Sequence, residues 1–256
     1  MTSPQPKCAQ ALAPNLDWAL FLDVDGTILH FADTPNGVAP SKRVCRVLRR
    51  LIICLGSAVA LISGRTIENL DRLFAPLRLP VAGLHGLERR DAGGDLHVLG
   101  EVQTLEHLRQ PFASLVASRK GVMLEDKGRA LAIHYRQAPK EAEGIRHEVE
   151  DLVHPSARDL RVIHGKMVSE VKPRHADKGS AIHAFMCEAP FAGRVPVFIG
   201  DDVTDEDGFA AVNVLEGHTI RVGTGSGTIA RYRLSDVDQV IEWLEALPSK
   251  IRSRHG

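Results

Sequence analysis

Apolar residues along this chain come in two textures, and their order predicts the fold. The run Trp18-Ala19-Leu20-Phe21-Leu22 has no polar break, so it predicts a strand buried on both faces, within Asp17 to Asp25. In the next segment Val44, Val47, Leu48, Leu51, Ile52 and Leu55 recur at helical spacing. That predicts a helix over 41–55, capped by Ser41 and stopped at Gly56. Ala58 to Ile62 is a second buried strand. Strand, helix, strand at this spacing is a βαβ unit and implies a parallel sheet.

The middle of the chain reads differently. Leu84 to Leu99 predicts strand, turn at Asp91-Ala92-Gly93-Gly94, and strand, with a helix over 102–117 after it. Val122–Glu125 and Ala130–Tyr135 form a hairpin about Lys127-Gly128. Ala142, Ile145, Val149 and Leu152 mark a helix, and Leu160–Ile163 with Met167–Val171 a second hairpin about Gly165. From Asp177 the alternation returns. It gives a helix to Cys187, a strand over 195–199, a helix over 205–212, a strand over 219–222 and a last helix carrying Val237, Val240, Ile241, Leu244 and Leu247. The basic tail from Pro248 to Gly256 is expected to be mobile. The pattern is a catalytic core, 1–102 and 172–256, interrupted by an inserted α+β cap, 103–171. A site is expected in the cleft between them, where closure excludes water.

Composition narrows the function only a little. The 256 residues carry 32 Lys plus Arg against 32 Asp plus Glu, so nothing points to nucleic acid or an anionic membrane. Lys42, Arg43, Arg46, Arg49 and Arg50 read as the solvated face of one helix. Cys8, Cys45, Cys54 and Cys187 lack metal spacing and read as reduced, mostly structural thiols. No signal peptide or membrane span is read, and the expectation is a soluble, cytoplasmic monomer acting on a small molecule.

The chemistry gathers at strand ends and helix starts. Asp23 and Asp25 close the first strand, and Gly26-Thr27 turns the chain away. Two carboxylates there repel unless a cation or proton holds them. Ser63 ends the second strand, Lys178 opens a helix, and Gly200-Asp201-Asp202-Val203-Thr204-Asp205-Glu206-Asp207 follows a buried strand. Acidic residues suit a helix's first turn, but five carboxylates exceed what capping needs. Phosphoryl transfer needs this combination. Asp23 would be the nucleophile, forming an aspartyl-phosphate, and Asp25 the acid and base. Ser63 would donate to phosphate, and Lys178 would neutralise it. Mg²⁺ would be held by Asp23, Asp201 and the backbone carbonyl of Asp25, with Asp205 a ligand or just behind one, and Asp202 a weaker candidate.

Asp23-Val24-Asp25-Gly26-Thr27, Ser63, Lys178 and Gly200-Asp201-Asp202 together resemble the haloacid dehalogenase superfamily of phosphohydrolases. The acidic segment through Phe209, Leu61-Ile62-Ser63-Gly64-Arg65, Gly83-Leu84-His85-Gly86-Leu87-Glu88 and Glu170-Val171-Lys172-Pro173 are similar to the trehalose-6-phosphate phosphatase family. So is Glu125-Asp126-Lys127-Gly128-Arg129 leading to His134-Tyr135-Arg136. Ile28 and Lys172 depart from that pattern. The resemblance implies an α/β fold: a Rossmann-like core with a parallel sheet and helices on both faces, plus the cap. It implies a Mg²⁺-dependent phosphatase of trehalose biosynthesis, releasing trehalose from trehalose 6-phosphate. It also implies sugar contacts from Arg65, His85, Glu88, Lys127, Arg136, Lys166 and Glu170. The bland alternatives are a hairpin corner for Lys127 and strand-face ion pairs for Glu88 and Arg136. Sucrose 6-phosphate, a phosphoglycosyl glycerate, mutase activity or a non-catalytic sensor are the competing readings.

Overall fold

Alternation along each buried strand decides the layering. In β2 (Trp18–Leu22), Leu20 and Leu22 join one apolar core while Ala19 and Phe21 join another on the opposite face. The same split runs through β3 (Val59–Ile62), with Val59 and Leu61 on one side and Ala60 and Ile62 on the other. A strand can feed two cores in this way only with a layer packed on each face of its sheet. The computed structural model describes residues 6–31, 39–99 and 105–255, and these divide into two compact units. The larger comprises 1–97 and 177–256, the smaller 98–176.

The larger unit is a nine-stranded sheet. The remaining strands are β1 (Lys7–Cys8), β4 (Val81–Gly83), β5 (Glu88–Arg90), β6 (Leu96–Val98), β11 (Val195–Gly200), β12 (His218–Val222) and β13 (Tyr232–Leu234). Their order is β1-β13-β12-β11-β2-β3-β4-β5-β6. From β1 to β4 every pairing is parallel, and β5 then runs antiparallel to β4. The Asp91 turn therefore extends the core sheet at its edge. One face is covered by α1 (Lys42–Cys54), α2 (Ile67–Phe74) and α7 (Val237–His255). The other is covered by α5 (Lys178–Met186) and α6 (Asp205–Val214), through Phe185, Phe198 and Phe209.

Helix α1 starts where expected, with the Ser41 hydroxyl accepting from the Val44 N–H at 3.3 Å. It buries Val44, Val47, Leu48 and Leu51, each contributing roughly 1.5–3 kcal/mol. Its basic residues face outward, and Arg43 pairs with Glu245 at 2.6 Å. The expected mobile tail is instead helical through His255, with Pro248 inside α7. Leu247 and Ile251 stand one turn apart and both are buried, and that anchorage outweighs the proline. The four cysteines are free and none is fully buried; Cys54, partly buried, packs against the core. Among the described residues no helix is long and apolar enough to cross a membrane.

His218 stands between Trp18 and Tyr232, edge to face with both. Burial, reinforced by Arg231, pushes its imidazole below the ordinary value, and Asp17 opposes. The folded state thus favours neutral imidazole. Stability is full above the unfolded pKa of about 6.5 and falls as pH drops through the folded value. Melting His218→Phe and the parent between neutral pH and about pH 5 should show the smaller acid-side loss in the variant.

The smaller unit is a four-stranded antiparallel sheet, in order β7-β8-β10-β9: β7 (Met123–Asp126), β8 (Leu131–His134), β9 (Leu160–Gly165) and β10 (Val168–Pro173). Helices α3 (Glu106–Ala117) and α4 (Ala142–Val153) bring Leu108, Phe112, Ile145 and Val149 onto one face, against Leu131, Ile133, Tyr135 and Val171. The other face carries Glu125, Ala132 and Glu170 in one row, with His134 two residues on. Of the neighbours His134 and Tyr135, it is Tyr135 that faces inward. The second hairpin turns one step later than expected. Gly165 still pairs with Val168, and Met167 takes the left-handed conformation, φ 64°. The expected start of α3 at residue 102 lies outside the described residues.

Candidate active site

Strands β2 and β11 are neighbours whose chains leave in opposite directions, β2 toward β3 and β11 toward β12. Crevices of this kind form at the carboxyl ends of parallel strands. Asp23 follows β2, and Asp201 follows β11. Asp23, Asp201 and Asp205 are all buried, and each places an oxygen within 4.8 Å of the others. Lys178 begins α5, whose N-cap is Asp177 in a reciprocal capping pair with Ser180. Its ammonium donates to Asp23 Oδ1 and Asp205 Oδ1, both at 2.7 Å.

Burial pushes the Asp23 carboxyl well above the usual range; Lys178 pulls it down, while Asp205 and Asp201 add to the rise. Burial alone would depress Lys178, but Asp205 and Asp23 more than reverse that and hold it above an ordinary lysine. Three carboxylates stand around one ammonium here, so negative charge is in excess once Asp23 is ionised. A divalent cation with hard-oxygen preference cancels that excess, so the donor set fits Mg²⁺. Asp205 is engaged on both oxygens, because its Oδ2 accepts from the N–H groups of Asp201 and Asp202 at 2.9 and 2.8 Å. Gly26, at φ 84°, lies so close that a Cβ there would meet Asp201 Oδ2 at 2.3 Å.

Asp25 stands apart from this cluster. Its two oxygens accept from Arg65 Nε and Nη2 at 2.6 and 2.7 Å, a bidentate pair. Arg65 also donates to Asn69 at 2.8 Å. The buried Ser63 hydroxyl accepts from the Arg65 N–H at 3.2 Å, which leaves its own hydrogen to donate. The Ser63 carbonyl accepts from the His85 N–H at 2.9 Å. Leu84, His85 and Gly86 all have positive φ, and the His85 ring packs where a Cβ on Gly64 would be. Such backbone costs of order 1–3 kcal/mol per non-glycine residue and gathers at functional sites. Glu88 accepts from the Ile67 N–H at 2.5 Å, at the start of α2.

In the smaller unit Lys127 donates to Glu170 at 2.8 Å, with both side chains about nine-tenths buried. Glu125 and His134 lie 2.8 Å apart, and Arg136 donates to the Lys166 carbonyl at 3.3 Å. Lys172 is fully buried and donates to the Ala176 carbonyl.

The sequence-predicted residues thus fall into local groups: Asp23 with Lys178, Asp201 and Asp205; Asp25 with Arg65; Ser63 with His85; and Lys127 with Glu170. Sequence reasoning missed the Asp25–Arg65 fork. The Ser-Gly-Arg turn carried a weak signal for it, but strand spacing cannot say which side chain an arginine meets. It also missed Arg221 on β12, which donates to the Asp202 carbonyl at 2.7 Å. A single arginine in a strand carries no signal at all.

A family model described as trehalose-phosphatase matches residues 21–238. A probable trehalose-phosphate phosphatase of Sinorhizobium fredii is 46% identical over 214 residues, 83% of this chain and 81% of that protein. The trehalose-6-phosphate phosphatase of Escherichia coli is 39% identical over 255 residues, 99% of this chain and 94% of its own length. Among solved structures, the C-terminal domain of the C. albicans trehalose-6-phosphate phosphatase superposes with a TM-score of 0.87 at 22% identity. It covers 97% of this chain and 99% of that one, and it speaks to the fold.

Proposed function

The chain belongs to the trehalose-phosphatase family, and on that footing we propose that it hydrolyses trehalose 6-phosphate through an aspartyl-phosphate on Asp23. One observation carries the reading. A buried carboxylate at the switch point is held by a buried lysine and crowded by two more carboxylates. Structural stability has no use for that charge excess, whereas an incoming cation and phosphoryl group do.

Asp23 attacks phosphorus, and the bond from phosphorus to the sugar 6-oxygen breaks. Asp25 gives its proton to that leaving oxygen. It then takes a proton from the water that attacks the aspartyl-phosphate, which returns Asp23 as carboxylate and releases phosphate. Both Asp25 oxygens are held by the Arg65 fork, so Asp25 meets the leaving oxygen only once Arg65 has released one of them, and Arg65 positions the acid. Ser63 and Lys178 donate to the phosphoryl oxygens. Asp23, Asp201 and the Asp25 carbonyl would hold Mg²⁺, with Asp205 orienting Lys178 and the acidic turn. When bound, the ion supplies positive charge against the transferring phosphoryl group.

The unit 98–176 is read as the cap that recognises sugar, with Lys127, Glu170, Arg136 and Lys166 as its candidate contacts; His85 is a separate candidate in the larger unit. A disaccharide offers hydroxyls, which a carboxylate and an ammonium can grip. Glu88 and Arg65 are already engaged on α2 and Asp25, so positioning is the role their geometry supports.

A panel of sugar phosphates with and without Mg²⁺ tests the assignment. Trehalose 6-phosphate should lead by kcat/KM, and only with the metal. Preference for sucrose 6-phosphate or another ester would remove the named substrate. Tight binding without phosphate release would make the protein a sensor. Glu170→Gln should lower kcat/KM for trehalose 6-phosphate by at least about tenfold. Turnover of p-nitrophenyl phosphate, which offers no sugar hydroxyls, should change far less.

A further inference from the structure

Arg221 lies on β12 directly across from Gly200, the residue that leads into Asp201. Its side chain is only 13% exposed. Among the described residues both of its hydrogen bonds run from Nη1 into the acidic segment: to the Asp202 carbonyl at 2.7 Å and to Glu206 Oε1 at 3.3 Å. Its buried Nε finds no acceptor there. A largely buried guanidinium costs desolvation free energy, and here little of the strand's own structure recovers it. Among the described residues its bonding goes to the acidic turn, at Asp202, and to Glu206 just after it.

That turn carries Asp201. From within, Asp205 Oδ2 gathers the Asp201 and Asp202 N–H groups. From outside, Arg221 holds the Asp202 carbonyl. Glu206 completes the brace, because its second oxygen accepts from the Ile229 N–H at 3.0 Å. The acidic turn, the first turn of α6 and the segment after β12 are thus joined through one guanidinium–carboxylate pair. The pair is neutral overall, so it can set the turn's geometry without changing the charge that the carboxylates present.

We infer that Arg221 and Glu206 are positioning residues that set the divalent-metal affinity of the Asp23–Asp201 site without touching metal or substrate. The inference rests on the metal-binding reading above. Outer partners of metal ligands are worth about 10–100-fold in affinity. Both bonds leave one nitrogen of a rigid planar group, a placement that a lysine's flexible ammonium does not reproduce, so lysine should not replace it.

The test uses Mn²⁺ and Mg²⁺ with the full chain. Free Mn²⁺ is followed by electron paramagnetic resonance, and Mg²⁺ by the rise in Tm it produces. Arg221→Met and Arg221→Lys should each weaken Mn²⁺ binding by about 10-fold or more. The Mg²⁺ concentration for half-maximal phosphate release should move in parallel, and kcat at saturating metal should fall much less. Glu206→Gln breaks the brace from the other side and keeps the arginine. It should weaken binding in the same sense, and the Arg221→Met/Glu206→Gln double variant should be less than additive. Should Arg221→Met fail to fold, Glu206→Gln and the lysine variant decide. Affinities within twofold of the parent, or full rescue by lysine, overturn the inference while the metal reading stands. A parent protein that binds neither ion overturns both.

Discussion

Asp23→Asn is expected to lower the turnover of trehalose 6-phosphate by ~10³-fold or more while leaving the fold intact. Asparagine keeps the shape and can still accept from Lys178, but it cannot attack phosphorus as a carboxylate does. The effect on stability should run the other way. Burial, with Asp205 and Asp201 alongside, makes the charged form of Asp23 costly in the metal-free protein. Removing that charge should therefore hold or raise Tm without metal, and it should weaken the rise that Mg²⁺ produces. Lost activity together with an unreduced metal-free Tm separates a chemical role from a structural one. Near-normal turnover would end the covalent mechanism. So would net inversion at phosphorus in a chirally labelled phosphoryl ester, because successive in-line displacements by Asp23 and then water give retention whereas direct attack by water gives inversion.

The second large effect is expected at Lys178. Its ammonium is held by two carboxylates of the Asp23–Asp201–Asp205 group, both at 2.7 Å. Lys178→Met fits a similar volume and removes the ammonium that Asp23 and Asp205 share. Breaking a buried pair from one side costs about 3–5 kcal/mol. The metal-free variant should melt far below the parent, and Mg²⁺ should recover much of the difference, because the ion replaces the missing charge. Activity should stay low even when the metal has restored the fold, since the donor to the phosphoryl group is gone. Paired melts with and without Mg²⁺ check this directly. A metal-free Tm close to the parent's would mean that the three carboxylates do not burden the fold as their burial implies. Because Lys178 is held above its ordinary pKa, its pairing is intact throughout the neutral range. It contributes stability below about pH 10.4, the unfolded value, and loses it only as pH rises through the higher folded one.

Legibility in the sequence varied with how local each cause was. The Ser41 cap, the α1 stripe and the Asp177-Lys178 helix start were readable because each depends on residues within one or two turns. Strands β2 and β11 were readable because a strand buried on both faces has no polar positions. The haloacid dehalogenase fold implied by the motifs is the fold found. By contrast, β4 is three residues long and β13 likewise, too short for a period to register. The tail was misread because Pro248 signals a stop, and only contact with the core shows that Ile251 is buried.

What the chain's order of residues determined by itself was chemical inventory and layering: which strands take two-sided burial, where carboxylates meet strand ends, and which lysine opens a helix. These follow from local periodicity and from the donor and acceptor chemistry of each side chain. Tertiary structure alone decided the pairings. It set Arg65 on Asp25, Lys178 on Asp205, Glu88 on the start of α2, and Arg221 behind the acidic turn. Those contacts join residues far apart in the chain, and a side chain's direction across that distance is set by sheet order and register, which no local pattern encodes.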